Sequence, residues 1–341
     1  MALDSQTRAG ILASLSASMT QAIDAVIGLA ATSGFKDFPE EEYEVFWMKA
    51  NATGANGLRE PRKESSFYSF ETRVGDAFTL CPQIVSLNQA CEQFVGSHAS
   101  FPAAFGRGRI KNEGELVLRS YFQQVKAFVR DEAVANSVIS EYVDNLGSSF
   151  VDTRSVYLVE NFAAPHPFNL AREIHFKPIS PEDIDRYGRI TPGSLHPSEP
   201  WIQDNHWICE VTTASTKEAA VTVMNQRPAQ LDAIAVSLAL VSVGSPFFTL
   251  LDQRFSTRFM PGGRMRSTRS IRAGASGNAM KLSEGEVREV GNIYHRVEQA
   301  LLSQKMEYLS FALRRFRRAA SREVAEDAIV DFVIALENLL A

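Results

Sequence analysis

The chain ends in the segment 307-EYLSFALRRFRRAASREVAEDAIVDFVIALENLLA-341, which carries the clearest fold signal in the sequence. In its first half, apolar residues recur at the helical spacing of three and four, and arginines occupy the opposite side. In its second half, Asp327, Asp331 and Asn338 form one narrow polar face, and apolar residues cover most of the remainder. Because so broad an apolar surface needs a cover, this helix is predicted to be buried against other helices.

The helical character begins shortly before this segment. The run Ser283-Glu284-Gly285-Glu286 has the pattern of a capping box, which marks the start of a helix. Helices are predicted over 283–304, 307–320 and 323–341. The change near residue 276 predicts two domains, an α+β region at 1–275 and the first helices of a helical domain at 276–341.

The preceding region mixes helical and strand patterns, so the predicted fold class is α+β. Helices are predicted at 4–31, from Pro82 onward, within 113–145 and at 228–243. Aromatic and β-branched residues predict strands at 43–48, 65–80, 151–162, 173–178 and 201–213, with a loop at 51–62 and irregular strands and loops at 247–277.

The last helix has no stop signal, because no Gly, Asn or basic cap follows it. Two explanations are open: a partner covers its apolar face, or the chain is a fragment whose continuation completes a helical bundle. The second is favoured, so the helical domain is predicted to be incomplete. A protein that stops at Ala341 is predicted to dimerise or aggregate through Leu336, Leu339 and Leu340.

Composition is that of an ordinary globular protein, with 45% hydrophobic and 22% charged residues and a net charge of −5. Cys81, Cys91 and Cys209 form no Cys-x-x-Cys pair and are predicted to be reduced and mostly buried. The start of the chain does not resemble a signal peptide, and the apolar run 231–243 is shorter than the roughly 20 residues that cross a membrane. A cytoplasmic protein with no membrane segment is predicted.

Positive charge is concentrated in one part of the chain. Residues 245–322 hold fifteen basic and six acidic residues, which gives this part a net charge of +9. Since the whole chain has a net charge of −5, the rest of the chain carries −14. Six arginines lie in 254–272, and four more form one face of the predicted helix 307–320: Arg314, Arg315, Arg317 and Arg318. Either group could bind phosphates of a nucleic acid. The helix group could equally be a solvated face paired with Glu323, Glu326 and Asp327.

Catalytic motifs are scarce in the sequence. The six histidines show no metal-ligand spacing, and no Gly-x-Ser-x-Gly, phosphate-loop or dinucleotide-binding pattern occurs, so neither a metal nor a cofactor is predicted. Glu337 lies in the apolar arc of the last helix, between Val330 and Val333. An unpaired buried carboxylate is costly, so Glu337 is expected to reach the edge, to pair with a buried Arg, or to orient a catalytic Arg or His.

The C-terminal helices resemble the opening helices of ApeA-like HEPN domains. The run 311–322 contains the Arg-Phe-x-x-Ala pattern with which the family's preceding helix ends. Six positions of the last helix match the family's next pattern: Asp327, Asp331, Ala335, Leu336, Glu337 and Leu339. The runs 157–162 and 179–183 look like parts of the N-terminal half that such proteins carry.

This resemblance implies a dimeric, metal-independent ribonuclease of a bacterial defence or toxin system. Such proteins cut RNA with an Arg followed four to six residues later by a His, and in ApeA-like members this motif lies downstream of the helix that corresponds to 323–341. The catalytic pair is therefore expected outside this chain, which would be an endoribonuclease only if it continues past residue 341. In this hypothesis, residues 1–275 sense or regulate, the four helix arginines hold RNA, and Glu337 orients the catalytic pair.

Within the chain, Arg288 and His295 are the catalytic candidates, because residues seven apart share one face of a helix. Arg189 and His196 have the same spacing but flank Pro192 and Gly193 in a predicted loop. The alternative to the ribonuclease hypothesis is a non-catalytic interaction or ligand-sensing module that uses its helical end to form a homodimer.

Overall fold

The structure, a computed structural model, describes residues 5–48, 58–98, 112–148, 150–187, 189, 190, 202, 203, 205–216, 219, 229–242, 244, 246–255, 257, 259, 264, 265, 270, 271, 279–302, 307–320 and 325–340. The helices are α1 Ser5–Thr32, α2 Phe67–Val74, α3 Asp76–Thr79, α4 Pro82–His98, α5 Glu113–Val125, α6 Glu132–Gly147, α7 Pro181–Tyr187, α8 Ala229–Val241, α9 Glu284–Leu302, α10 Glu307–Ala320 and α11 Ala325–Leu340. The strands are β1 Glu40–Met48, β2 Leu58–Ser65, β3 Phe150–Glu160, β4 Phe162–Ala163, β5 Phe168–Ala171, β6 Ile174–Pro178, β7 Arg189–Ile190, β8 Ile202–Gln203, β9 Trp207–Thr216, β10 Phe247–Phe255, β11 Arg264–Met265, β12 Ser270–Ile271 and β13 Met280–Lys281. The mixed α+β class and the helical C-terminal segment are confirmed.

The largest sheet of the described residues has seven strands, in the order β11-β10-β3-β9-β6-β5, with β12 also paired to β10. Its central strands β10, β3, β9 and β6 run antiparallel to their neighbours. A smaller sheet joins β1 to β2, β7 and β8. The short strands β4 and β13 pair in parallel and tie the end of the large sheet to the start of α9.

A first hydrophobic core lies among α1, α2, α4, α5 and α6. The face of α1 that carries Leu15, Met19 and Ile23 is fully buried there, as the helical period predicts. An aromatic cluster fills one end of this core, where the rings of Phe67 and Phe122 stack with centroids 4.9 Å apart.

A second core lies between one face of the seven-stranded sheet and the helices α8 and α9. Phe176 and Phe248 contribute from the sheet, Ile234 from α8, and Val290 and Tyr294 from α9. Since α9 follows residue 276 and the sheet precedes it, residues on both sides of the predicted domain boundary share this core. The opposite face of the sheet carries a smaller apolar cluster with α7.

One strand prediction and one loop boundary are wrong. Residues 67–79 form α2 and α3 instead of strands, because Phe67, Phe70 and Phe78 bury their rings in the helical core. The loop predicted at 51–62 ends early, since β2 begins at Leu58 and pairs with β1. The stretch predicted as irregular after residue 247 opens with the nine-residue strand β10, which has a register shift between Leu250 and Asp252.

Among the described residues, the helix α1 is long enough and apolar enough to cross a membrane, with a mean hydropathy of 1.3 over its best window. The prediction of no membrane segment rests on the run 231–243 and does not take α1 into account. The core helix of a soluble protein meets the same criteria, and α1 buries one face against α4 and α6. Arg8, near its start, donates to Asp144 of α6 at 2.8 Å, which anchors that face.

Candidate functional site in the C-terminal helices

The helices α10 and α11 pack side by side, joined by the connection 321–324. The rings of Phe316 and Phe332 meet edge to face with centroids 5.4 Å apart. Ala312 and Ala319 are buried, as the predicted apolar stripe of α10 requires, whereas Tyr308, assigned to the same stripe, is exposed. The capping box that opens α9 is confirmed, because the Ser283 backbone N–H donates to Glu286 at 2.7 Å.

The four arginines of α10 do not form one free basic face. Arg315 donates from Nη1 to Asp331 Oδ1 at 2.7 Å, and Arg317 pairs with Asp232 of α8. Arg318 lies 3.9 Å from Asp331 and keeps 59% of its side chain exposed, and Arg314 is exposed. Arg315 and Arg317 therefore join α10 to α11 and α8, and Arg318 lies at the edge of the same Asp331 carboxylate while most of its side chain stays in solvent. The partners shown for Arg315 and Arg317 are Asp331 and Asp232, and Glu323, one of the acids that the sequence suggested, lies outside the described residues.

The orientation of α11 differs from the predicted one at Asp331 and along the apolar arc, whereas Asp327 of the predicted polar face is exposed. Asp331, assigned to the solvent face, is 3% exposed and faces Arg315, whereas four apolar residues of the predicted buried arc face solvent. Their exposed fractions are large: Ile329 61%, Val330 58%, Val333 47% and Leu336 57%. A contiguous exposed apolar strip of this kind is typical of an interaction site.

Glu337 lies next to Leu336 on this same strip and is exposed, so it reaches solvent rather than a buried cation. Of the three expectations for Glu337, the structure shows the first. Among the described residues Glu337 makes no ion pair with an Arg or His, and its predicted role in orienting a catalytic pair stays a prediction. Leu339 and Leu340 end α11, and their side chains lie outside the described part.

Arg288 and His295 both lie on the exposed side of α9. Their seven-residue separation sets them two turns apart, about 10 Å along the helix axis. Arg288 Nε donates to the Glu284 carbonyl at 3.4 Å, and His295 Nδ1 is 3.9 Å from Glu298 Oε2. The shared face is confirmed, whereas the separation leaves the two groups apart unless a ligand spans them.

The second arginine-rich run is largely outside the described residues, since Arg258, Arg266, Arg269 and Arg272 are among those not described. His196 of the other predicted pair is also outside them. Among the residues that are described, no group of three or more His, Cys, Asp or Glu side chains could hold a metal ion. Cys91 and Cys209 are buried free thiols, and Cys81 is half-buried.

Comparison of the chain with protein-family models, curated proteins and solved structures finds no match. The resemblance to ApeA-like HEPN domains therefore stays a prediction from the C-terminal motifs. The geometry of the site itself must carry the functional argument.

Proposed function

We propose that this protein is an interaction module that associates with a second copy of itself through the exposed strip of α11, defined as Ile329, Val330, Val333 and Leu336. The observation that carries this proposal is the orientation of the helix, with Asp331 inside and the strip outside. Apolar area removed from water stabilises an interface by about 25 cal/mol per Å², so four such side chains favour association.

The strip has the chemistry of a two-fold symmetric contact. In an antiparallel arrangement centred on Val333, residues three positions away on either side meet, so Val330 of each copy faces Leu336 of the other. Glu337 then approaches the half of the partner's α11 that begins near Ile329. The self-complementary apolar contact therefore favours a second copy as the occupant.

Sedimentation velocity over a concentration series tests this proposal. The wild type is expected to be a dimer, and the double variant Val333→Ser with Leu336→Ser to be monomeric at the same concentrations. Val129→Ser is the matched control, because Val129 is a 53% exposed valine in the connection between α5 and α6. A wild type that stays monomeric, or a dimer that survives the double substitution, would overturn the proposal.

A second proposal is that the chain is part of a HEPN-type, metal-independent ribonuclease with a bacterial defence role. The observation in its favour is that Arg314 and Arg318 remain exposed on consecutive turns of α10, where they could contact RNA phosphates. The double variant Arg314→Met with Arg318→Met should then weaken binding of labelled RNA and reduce its salt dependence. Arg130→Met, an exposed arginine in the α5–α6 connection, is the control. RNA binding that is equal in all three proteins would remove the support for this second proposal.

A further inference from the structure

The face of the seven-stranded sheet away from α8 carries a row of charged side chains. Alternate residues of the strands point to this face: Lys177 from β6, Glu210 from β9, Arg154 from β3, and Asp252 with Arg254 from β10. Most of these charges are paired. Arg154 donates from Nε and Nη2 to Glu210 at 3.1 and 2.5 Å, and Lys177 Nζ is 2.9 Å from Asp183 and 3.5 Å from Glu210.

Arg254 is the exception in this row. It stands directly opposite Arg154 in the register of β10 and β3, a placement of like charges that disfavours strand pairing. Its contact with Asp252 is long, 3.8 Å from Nε to Oδ2, and Arg254 makes no hydrogen bond with any residue of the described ranges. Burial, together with the charges of Arg186 and Arg154, lowers the pKa of Arg254. The surroundings of Arg254 therefore carry more positive charge than the neighbouring carboxylates neutralise.

The short helix α7 brings two more donors to the same place. It is fixed to the sheet at its start, because the Ser180 hydroxyl and Lys177 both donate to Asp183, at 2.9 and 3.0 Å. At its end, the Arg186 guanidinium lies 5.5 Å from the centre of the Tyr187 ring. Arg186 is exposed, and the side chains of Arg154 and Arg254 keep 29% and 33% of their surface in contact with solvent.

The Tyr187 hydroxyl supplies an independent sign of a ligand. Tyr187 is 9% exposed and packs on the same face of the sheet, in the cluster that includes Val156 of β3 and Ile208 of β9. Its hydroxyl is buried and has no hydrogen-bond partner among the described residues. Burial raises the pKa of Tyr187, the charges of Arg186 and Arg154 lower it, and the carboxylates of Glu210 and Asp252 raise it again. Buried hydroxyls in folded proteins almost always have a partner, so this one is an unused donor within electrostatic reach of Arg154, Arg186 and Arg254.

We propose that Arg154, Arg186, Arg254 and Tyr187 form a binding site for the phosphate group of a small phosphate monoester. Guanidinium groups bind phosphate oxygens with two parallel hydrogen bonds, and Arg154 retains Nη1 for this purpose because the bonds to Glu210 use Nε and Nη2. The Tyr187 hydroxyl donates to a third oxygen. The phosphate also separates Arg254 from Arg154 electrostatically and removes the repulsion between them.

Isothermal titration of the full chain with inorganic phosphate and, separately, with adenosine monophosphate tests this site. The wild type is expected to bind both, and tighter binding of the nucleotide would identify an ester rather than free phosphate as the ligand. Tyr187→Phe should weaken binding about tenfold, because it removes one hydrogen bond to a charged group. Arg254→Met should weaken it more than about a hundredfold. Arg296→Met, an exposed arginine of α9, should leave the affinity unchanged.

The Tyr187→Phe variant keeps the test decisive if Arg254→Met does not fold, because it deletes one oxygen and leaves the packing intact. Absence of binding to the folded wild type at millimolar phosphate and nucleotide would overturn the site. Equal affinity in the wild type, Tyr187→Phe and Arg296→Met would overturn it as well. Both outcomes are independent of the oligomeric state, so they do not depend on the contact proposed for α11.

Discussion

Single buried charges decide how the elements of this protein are oriented, and Asp331 is the clearest case. Its carboxylate is 3% exposed and accepts from Arg315, which is itself 30% exposed. We expect Asp331→Asn to lower the free energy of unfolding by about 2 kcal/mol, because the substitution leaves a half-buried guanidinium without its counter-charge. Urea denaturation measures this loss. Glu326→Gln, at an exposed position of the same helix, is the control and should change stability by less than about 0.5 kcal/mol.

Glu160 gives the stability of the protein a pH dependence. Burial at the end of β3 raises the pKa of this carboxyl above its ordinary value of 4.5. The folded state therefore holds its proton more tightly than the unfolded state, so this group lowers the stability as pH rises from about 4.5 through the folded pKa. Glu160→Gln removes the charged form, and we expect the variant to gain stability relative to the wild type across that window.

Urea denaturation of both proteins at a series of pH values checks the Glu160 prediction. Below the window the two curves should agree, and above it the variant should be the more stable protein. A constant offset at every pH would instead mean that the substitution acts through packing, for example on His206, whose Nε2 lies 4.0 Å from Glu160 Oε1.

At the scale of elements, the close contact between α4 and α5 depends on Gly114. A Cβ at this position would lie 2.6 Å from the Asn88 backbone nitrogen and 2.8 Å from the Leu87 carbonyl carbon. We expect Gly114→Ala to destabilise the protein by about 2 kcal/mol, because the two helices must move apart. Gly291→Ala is a matched control in α9, where nothing lies within 4 Å of the added atom. It should stabilise by about 0.5 to 1 kcal/mol, as expected for alanine in a helix. Thermal unfolding should therefore show a lower midpoint temperature for Gly114→Ala and a higher one for Gly291→Ala than for the wild type.

Helical periodicity predicted α9, α10 and α11 to within two residues at each end, because this signal depends on local spacing. The same signal gave the wrong outward face for α11. The count of apolar residues favours burial of the wider apolar arc. The ion pair that turns Asp331 inward joins it to Arg315 of α10, and the spacing within a single helix does not reveal a contact between two helices. Phe67 and Phe70 were misassigned for a related reason, since aromatic residues are common in strands but here fill a core between helices.

The phosphate site could not have been predicted from one sequence. Arg154, Arg186 and Arg254 are spread over a hundred positions, and only the pairing of β3 with β10 and the anchoring of α7 bring them together. No local spacing or motif records such a contact. The capping box at Ser283 is the opposite case, because its two partners lie three residues apart and the sequence predicts it directly.

At the scale of the whole molecule, the two large cores have no residue in common among those described. Substitutions in separate cores that share no partner are expected to be additive. Ile84→Val in the helical core and Ile234→Val in the sheet core should each cost about 1 kcal/mol. The double variant should lose the sum to within about 0.5 kcal/mol in urea denaturation. A clear departure from the sum would show that the cores are energetically linked.

The parallel pairing of β13 with β4 has a consequence for how this protein could exchange parts with others. The Met280 N–H donates to the Asn161 carbonyl at 2.8 Å, and the Met280 side chain is fully buried in the sheet core. A recombination event at residue 276, where the sequence changes character, would separate these partners and leave Phe248 and Ile234 without α9. Genetic shuffling that preserves the packing must therefore transfer the sheet and the C-terminal helices together, as one heritable block.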